Sequence, residues 1–157
     1  MKRIFLLLTV LTTFAFSAID ECKTDVYFGN GILTTDSQAE RNSKILRTAI
    51  IEKFGLDYFQ KKIGKVSYAY NTTHGEGNDL LESALQKLDW DWLTDYFSPS
   101  HKRDVTTQVN QYEASIRLGH RVLVVAHSQG NLFAYEAYRK LPGWMREYLS
   151  SLISEEF

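Results

Sequence analysis

Cysteine is nearly missing: the 157 residues contain one, Cys22, so no internal disulfide can form and two-cysteine redox or zinc chemistry is excluded. Proline is almost as scarce, with only Pro99 and Pro142, and no low-complexity linker, internal repeat or second composition divides the chain. There is no surplus of positive charge. Lysine and arginine number 18 against 19 acidic residues, so no basic surface for nucleic acid is implied. Long apolar runs are absent too. The stretch at 4–16 is broken by threonines and spans about 13 residues, fewer than the roughly 20 that cross a bilayer as a helix.

That stretch has the pattern of a secretory leader: Lys2 and Arg3, an apolar core, then the small residues Ser17 and Ala18, where cleavage is expected. Ile19, Asp20 and Glu21 ahead of Cys22 are not the small-residue box of lipoprotein processing, so Cys22 reads as an idle residue near a loose terminus. Residues 1–18 are thus expected to be a signal peptide and 19–157 one domain, secreted or periplasmic. Its length, on the order of 140 residues, suits a single core.

Strands and helices alternate. Residues 24–28 (T-D-V-Y-F) read as a first strand ending in Gly29-Asn30-Gly31-Ile32. Ser37 and Glu40 form a capping box, and Ile45, Leu46, Ala49, Ile50 and Phe54 mark the buried side of a helix closed by Gly55. A second strand at 65–70 leads into a polar loop with His74, Glu76 and Asp79. Two helices follow. The first carries Leu81, Leu85, Leu88 and Trp92, with an aromatic cluster at 90–97; the second carries Val105, Val109, Tyr112 and Ile116. The cluster serves the core by default, and its second apolar face is free to cover substrate or another part of the domain.

Residues 121–138, R-V-L-V-V-A-H-S-Q-G-N-L-F-A-Y-E-A-Y, organise the rest. The continuous aliphatic run at 122–125 predicts a strand covered on both faces, and from Gln129 the period turns helical until Pro142. Between them, Ala126-His127-Ser128-Gln129-Gly130 is small-x-Ser-x-small. A strand that becomes a helix at one residue forces that residue to positive φ and crowds its neighbours two places away, so only small side chains fit there. The alternative is a serine N-cap on an ordinary turn, which leaves Ala126 and Gly130 unexplained.

These residues resemble the nucleophile elbow of the α/β-hydrolase family, G-x-S-x-G, with Ala126 in place of the first glycine. The resemblance implies an α/β fold, a three-layer sandwich with a small parallel sheet of order 2-1-3, and a crevice between the first loop and the elbow. It implies Ser128 as nucleophile, and the peptide N–H groups of Gln129 and Ile32 as oxyanion donors. Asn30-Gly31 looks like a variant of the family's His-Gly motif, although a G-x-G stretch also serves plain turns. Thr34 stands where a dinucleotide fingerprint needs a third glycine, so that fingerprint fails. The substrate implied is an ester or lipid-like small molecule, with no cofactor and no metal.

In the family an acid and then a histidine follow the nucleophile, but the 29 residues after Ser128 contain no histidine. The resemblance covers about the first half of a family domain. His127 adjoins the nucleophile and is expected to point elsewhere, His120 lies at the opposite end of the sheet, and His101 is expected to be exposed. His74 is the candidate base, weighed against a plain polar loop. Residues 150–157 leave no room for a further strand, which predicts a truncated form of a longer hydrolase, an exposed elbow strand, and a missing half or partner chain. Two alternatives stay open: a non-catalytic remnant, and a flavodoxin-like binding module with the same strand order.

Overall fold

The computed structural model describes residues 23–31, 33–72 and 99–153. Strands β1 (Thr24–Gly29), β2 (Ile63–Ala69), β3 (Arg121–Ala126) and β4 (Leu149–Ile153) form one all-parallel sheet in the order β2-β1-β3-β4. Helices α1 (Asp36–Phe54) and α2 (Leu56–Lys62) link β1 to β2; α3 (Pro99–Arg117) precedes β3; α4 (Gln129–Lys140) and α5 (Gly143–Arg146) lead to β4. The fold is α/β, with the expected order 2-1-3 inside it. The right-handed crossover from β1 to β2 runs one way along the sheet and those from β2 to β3 and from β3 to β4 run the other, which places α1 on one face and α3 with α4 on the other. The packing agrees: α1 lies on β1 and β2, while α3 and α4 lie on each other and on β3.

Two expectations about the elbow strand are corrected. A strand does follow α5: β4 pairs with β3 from Val122↔Leu149 to Ala126↔Ile153, so β3 is internal rather than an exposed edge. The sequence L-S-S-L-I has neither clean alternation nor a continuous apolar run, and it is the hydrogen-bonding edge of β3 that orders it. Nor is β3 covered equally on its two faces. Val122, Val124 and Ala126 are buried towards α3 and α4, whereas Leu123 and Val125 are half-buried, because α1 sits over β1 and β2 instead.

The main core packs Tyr27, Val105, Tyr112, Val124 and Phe133 between the sheet and the α3–α4 pair. Tyr27 meets Tyr112 edge-on at 5.1 Å, and its hydroxyl donates to the Gln111 carbonyl at 3.0 Å. Burial, aided by the neighbouring Tyr27, pushes the Tyr112 phenol above its ordinary pKa and keeps it neutral.

Helix α1 departs from the sequence expectation. Its N-cap is Thr35, whose hydroxyl accepts from the Gln38 N–H while the Gln38 side chain accepts from the Thr35 N–H, so the box lies two residues before Ser37. Ala39 and Ser43 form the buried contact, with Leu46 and Ile50 half-buried beside them. Ile45 and Phe54, assigned to the buried side, are 60% and 57% exposed, and Ala49 is exposed as well. Small residues let the helix approach the sheet closely, which rotates the larger apolar side chains outward.

At the N-terminal end of the sheet, Asp25 is buried and gathers three segments. Its carboxylate accepts from the Ser115 hydroxyl at 2.6 Å, the Lys65 N–H at 3.0 Å and His120 Nδ1 at 3.0 Å. His120 is thereby the donor at Nδ1, at the end of the sheet opposite Ser128, as expected. Among the described residues no helix is long and apolar enough to cross a membrane.

Candidate active site

β1 and β3 lie side by side with Gly29 opposite Ala126, and each chain turns away just beyond that pair. The connection from β1 goes to one side of the sheet and that from β3 to the other. Adjacent loops that diverge in this way leave a crevice at the carboxyl ends of the strands, where open α/β sheets bind ligands.

Ser128 occupies this point with φ 51° and ψ −131°. Among the described residues only Leu33 shares a positive φ without being glycine. Such a conformation costs an L-residue roughly 1–3 kcal/mol and persists only when its surroundings hold it. The contrast with Thr35 decides between the two readings of this serine. Thr35 caps α1 from an extended backbone and its hydroxyl engages Gln38; Ser128 starts α4 from a left-handed one and its side chain makes no capping bond. The first turn of α4 is closed instead by Gly130 N–H to the His127 carbonyl and Asn131 N–H to the Ser128 carbonyl, both at 3.0 Å. Ser128 therefore stands at the N-cap position of α4 without capping it by its side chain, on the positive-φ backbone of a strand-to-helix elbow.

The small flanking residues have the reason expected of them. A Cβ on Gly130 would stand 2.8 Å from the carbonyl oxygens of both Gly29 and Asn30. A Cβ on Gly29 would stand 2.7 Å from the Cβ of Ala126, so the crossing of β1 and β3 has room for one methyl, and Ala126 provides it. The elbow and the loop after β1 thus touch backbone to backbone. Gln129, at the first position of α4, is 3% exposed, and α4 directs its N-terminal dipole at the crevice.

A polar cluster that sequence reasoning missed lies under the crevice. Asn30 and Asn71 are both fully buried and bonded reciprocally: Asn30 Nδ2 donates to the Asn71 carbonyl at 3.0 Å, and the Asn71 N–H donates to Asn30 Oδ1 at 2.9 Å. Asn30 Nδ2 also reaches the Gly31 carbonyl at 3.2 Å, and Asn71 Nδ2 donates to Gln129 Oε1 at 3.3 Å. The neighbouring Thr72 N–H donates to Asp104 Oδ2 at 2.6 Å, which fastens this loop to α3. The loops after β2, β1 and β3 are thereby joined in one chain of side-chain amides. Asparagine next to glycine reads in sequence as a turn, and no local pattern distinguishes a buried linker from it.

Of the residues singled out in sequence, Ser128, Gln129, Ala126 and Gly130 come together at the elbow. Ile32, His74, the aromatic cluster at 90–97 and the leader at 1–18 lie outside the described residues. His101 is corrected from exposed to buried. Its ring stands edge-on to Phe133 with centroids 5.4 Å apart, because α3 packs its first turns against α4. The His127 ring lies 5.8 Å from that of Phe28 and against Gly31, which the Ser128 Cβ also faces. Neither of these histidines, nor His120, forms a described hydrogen bond with Ser128. No three His, Cys, Asp or Glu residues are grouped as metal ligands among the described residues. No protein-family model matches the chain, and no curated protein matches it in sequence.

Proposed function

We propose that Ser128 is the nucleophile of an exported serine hydrolase of the esterase or lipase type, acting on a carboxylic ester of a small or lipid-like molecule. The backbone of Ser128 carries the reading: a serine held at φ 51° and ψ −131° between a parallel strand and a helix, with its hydroxyl unused as a cap. In the reaction Ser128 Oγ bonds to the ester carbonyl carbon, the hydroxyl proton leaves to solvent or a base, and the alkoxide departs. Water then cleaves the acyl-serine. The N–H of Gln129 supplies one oxyanion donor and the N–H of Ile32 the second. A flavodoxin-like binding module of the same strand order has no use for a strained serine at this turn.

A second reading, a non-catalytic elbow, has one observation in its favour: none of the three described histidines forms a described hydrogen bond with Ser128. A fluorophosphonate probe separates the two. Attack by Ser128 Oγ forms an O–P bond and expels fluoride, so slow stoichiometric labelling of wild type at Ser128, absent in Ser128→Ala, is the expected result. A folded sample that takes no label belongs to the second reading. Turnover of a short-chain aryl ester is expected to be weak and little changed in Ser128→Ala, since no described histidine is hydrogen-bonded to the hydroxyl to take its proton. A difference of about a thousandfold or more would show a complete site, and His74 would be the residue to mutate next.

A further inference from the structure

Among the described residues, Asn30, Asn71 and Gln129 are the buried polar side chains at the Ser128 end of the sheet that bond from one strand-end loop to another. Asn30 Nδ2 donates to the carbonyl of Gly31 and so holds the backbone at the end of the described loop. Asn71 holds the side chain of Gln129, the residue whose peptide N–H adjoins Ser128. The two asparagines hold each other through two bonds of 2.9 and 3.0 Å. One relay of amides thus runs from the loop after β1, through the loop after β2, to the first residue of α4.

Among the described residues Asn71 Oδ1 meets no donor, while its Nδ2 is turned to Gln129 Oε1. Polar linkages of this kind set geometry more than they add stability. The geometry at stake is the separation of the two walls of the crevice. A misplacement on the order of 1 Å in such walls costs roughly a hundredfold in rate.

We propose that Asn30 and Asn71 are positioning residues that set the oxyanion pocket, acting through the Gly31 carbonyl and the Gln129 side chain and not by touching substrate. The proposal rests on the reading of Ser128 as a nucleophile. Loss of either asparagine side chain lets one wall drift while Ser128 and the elbow remain, so bond formation slows and probe affinity does not change. Asn30→Ala cuts both bonds to the loop after β2 and so also frees the Asn71 amide, and removing Asn71 after Asn30 adds little.

The test is the kinetics of fluorophosphonate labelling of the full chain, resolved into a maximal labelling rate and a half-saturating probe concentration. Asn30→Ala, Asn71→Ala and the double variant are compared with wild type and with Ser115→Ala, which removes a bond to Asp25 at the far end of the sheet. Each single variant is expected to lower the maximal rate by about 10- to 100-fold with the half-saturating concentration within roughly threefold. The double variant should match the slower single one, and Ser115→Ala should label like wild type. Should Asn30→Ala fail to fold, Asn71→Ala still decides, because both bonds between the asparagines end on the Asn71 backbone. A folded Asn71→Ala with the wild-type maximal rate overturns the positioning role and leaves the nucleophile standing. An equal slowing in Ser115→Ala overturns it as well, since general loosening would then explain the effect. Wild type that takes no label overturns the nucleophile and the positioning role together.

Discussion

Gly130→Val is expected to lower the stability of the folded chain by about 3–5 kcal/mol, whereas Ser128→Ala changes it by less than about 1 kcal/mol. The first Cβ atom already stands 2.8 Å from two carbonyl oxygens and 2.9 Å from the Gly29 carbonyl carbon. All three are backbone atoms, so no side chain can swing aside to admit it. The loop after β1 would have to withdraw from the elbow, and Asn30, which is bonded to Asn71 and Gly31, would be drawn with it. Valine adds two further methyls to that overlap. Overpacking of a relaxed core costs about 1–3 kcal/mol, and an obstruction made of backbone lies above that range. Ser128→Ala meets no such obstruction, because the hydroxyl caps nothing and alanine tolerates the left-handed backbone no worse than serine does. Urea denaturation read by far-ultraviolet circular dichroism measures both. Equal midpoints for the two variants would remove the close approach as the reason for glycine at 130.

Asp25→Ala is expected to be equally damaging, at about 3–5 kcal/mol, for an electrostatic reason instead of a steric one. Asp25 is 1% exposed, and its two oxygens receive the Ser115 hydroxyl, the Lys65 N–H and His120 Nδ1. Deleting the carboxylate strands three donors, each costing on the order of 1–3 kcal/mol if water cannot reach it. The half-exposed Lys65 ammonium, 3.8 Å away, contributes little. Asp25→Asn keeps the shape and one acceptor oxygen but turns an N–H₂ towards donors, so it should fall between alanine and wild type. Because the network ties β1, β2, α3 and the start of β3, its loss should shift the whole unfolding transition and not merely fray one element. Asp25→Ala with the wild-type midpoint would show that the network contributes nothing net.

The elbow was legible because its physics is local. The aliphatic run at 122–125, the helical period from Gln129 and the small residues at 126 and 130 lie within a few residues of Ser128, and the sterics of one turn connect them. The alternation of strands and helices was enough for a parallel α/β sheet, and the order β2-β1-β3 came from the resemblance to the hydrolase family. Helix α1 shows where local reading weakens. Its capping box has a near-equivalent two residues later in Ser37 and Glu40, and only the backbone turn at Thr35 selects between them. The stripe through Ile45, Ala49 and Phe54 is apolar, yet the sheet accepts the face with Ala39 and Ser43.

By itself the sequence determined the α/β class, the place of Ser128 at a strand-to-helix turn, and the need for small residues at 126 and 130. Each follows from periodicity or from excluded volume between residues close in the chain, and these act before any long-range contact forms. Only the tertiary structure decided the rest. Strand β4 exists because β3 offers a hydrogen-bonding edge to a segment with weak strand character of its own. Asn30 meets Asn71 across 41 residues, Asn71 meets Gln129 across 58, and Asp25 meets His120 across 95. Asparagine, aspartate and histidine carry no periodic signature, so whether each becomes a solvated loop residue or a buried linker depends on which strand ends the parallel sheet brings side by side.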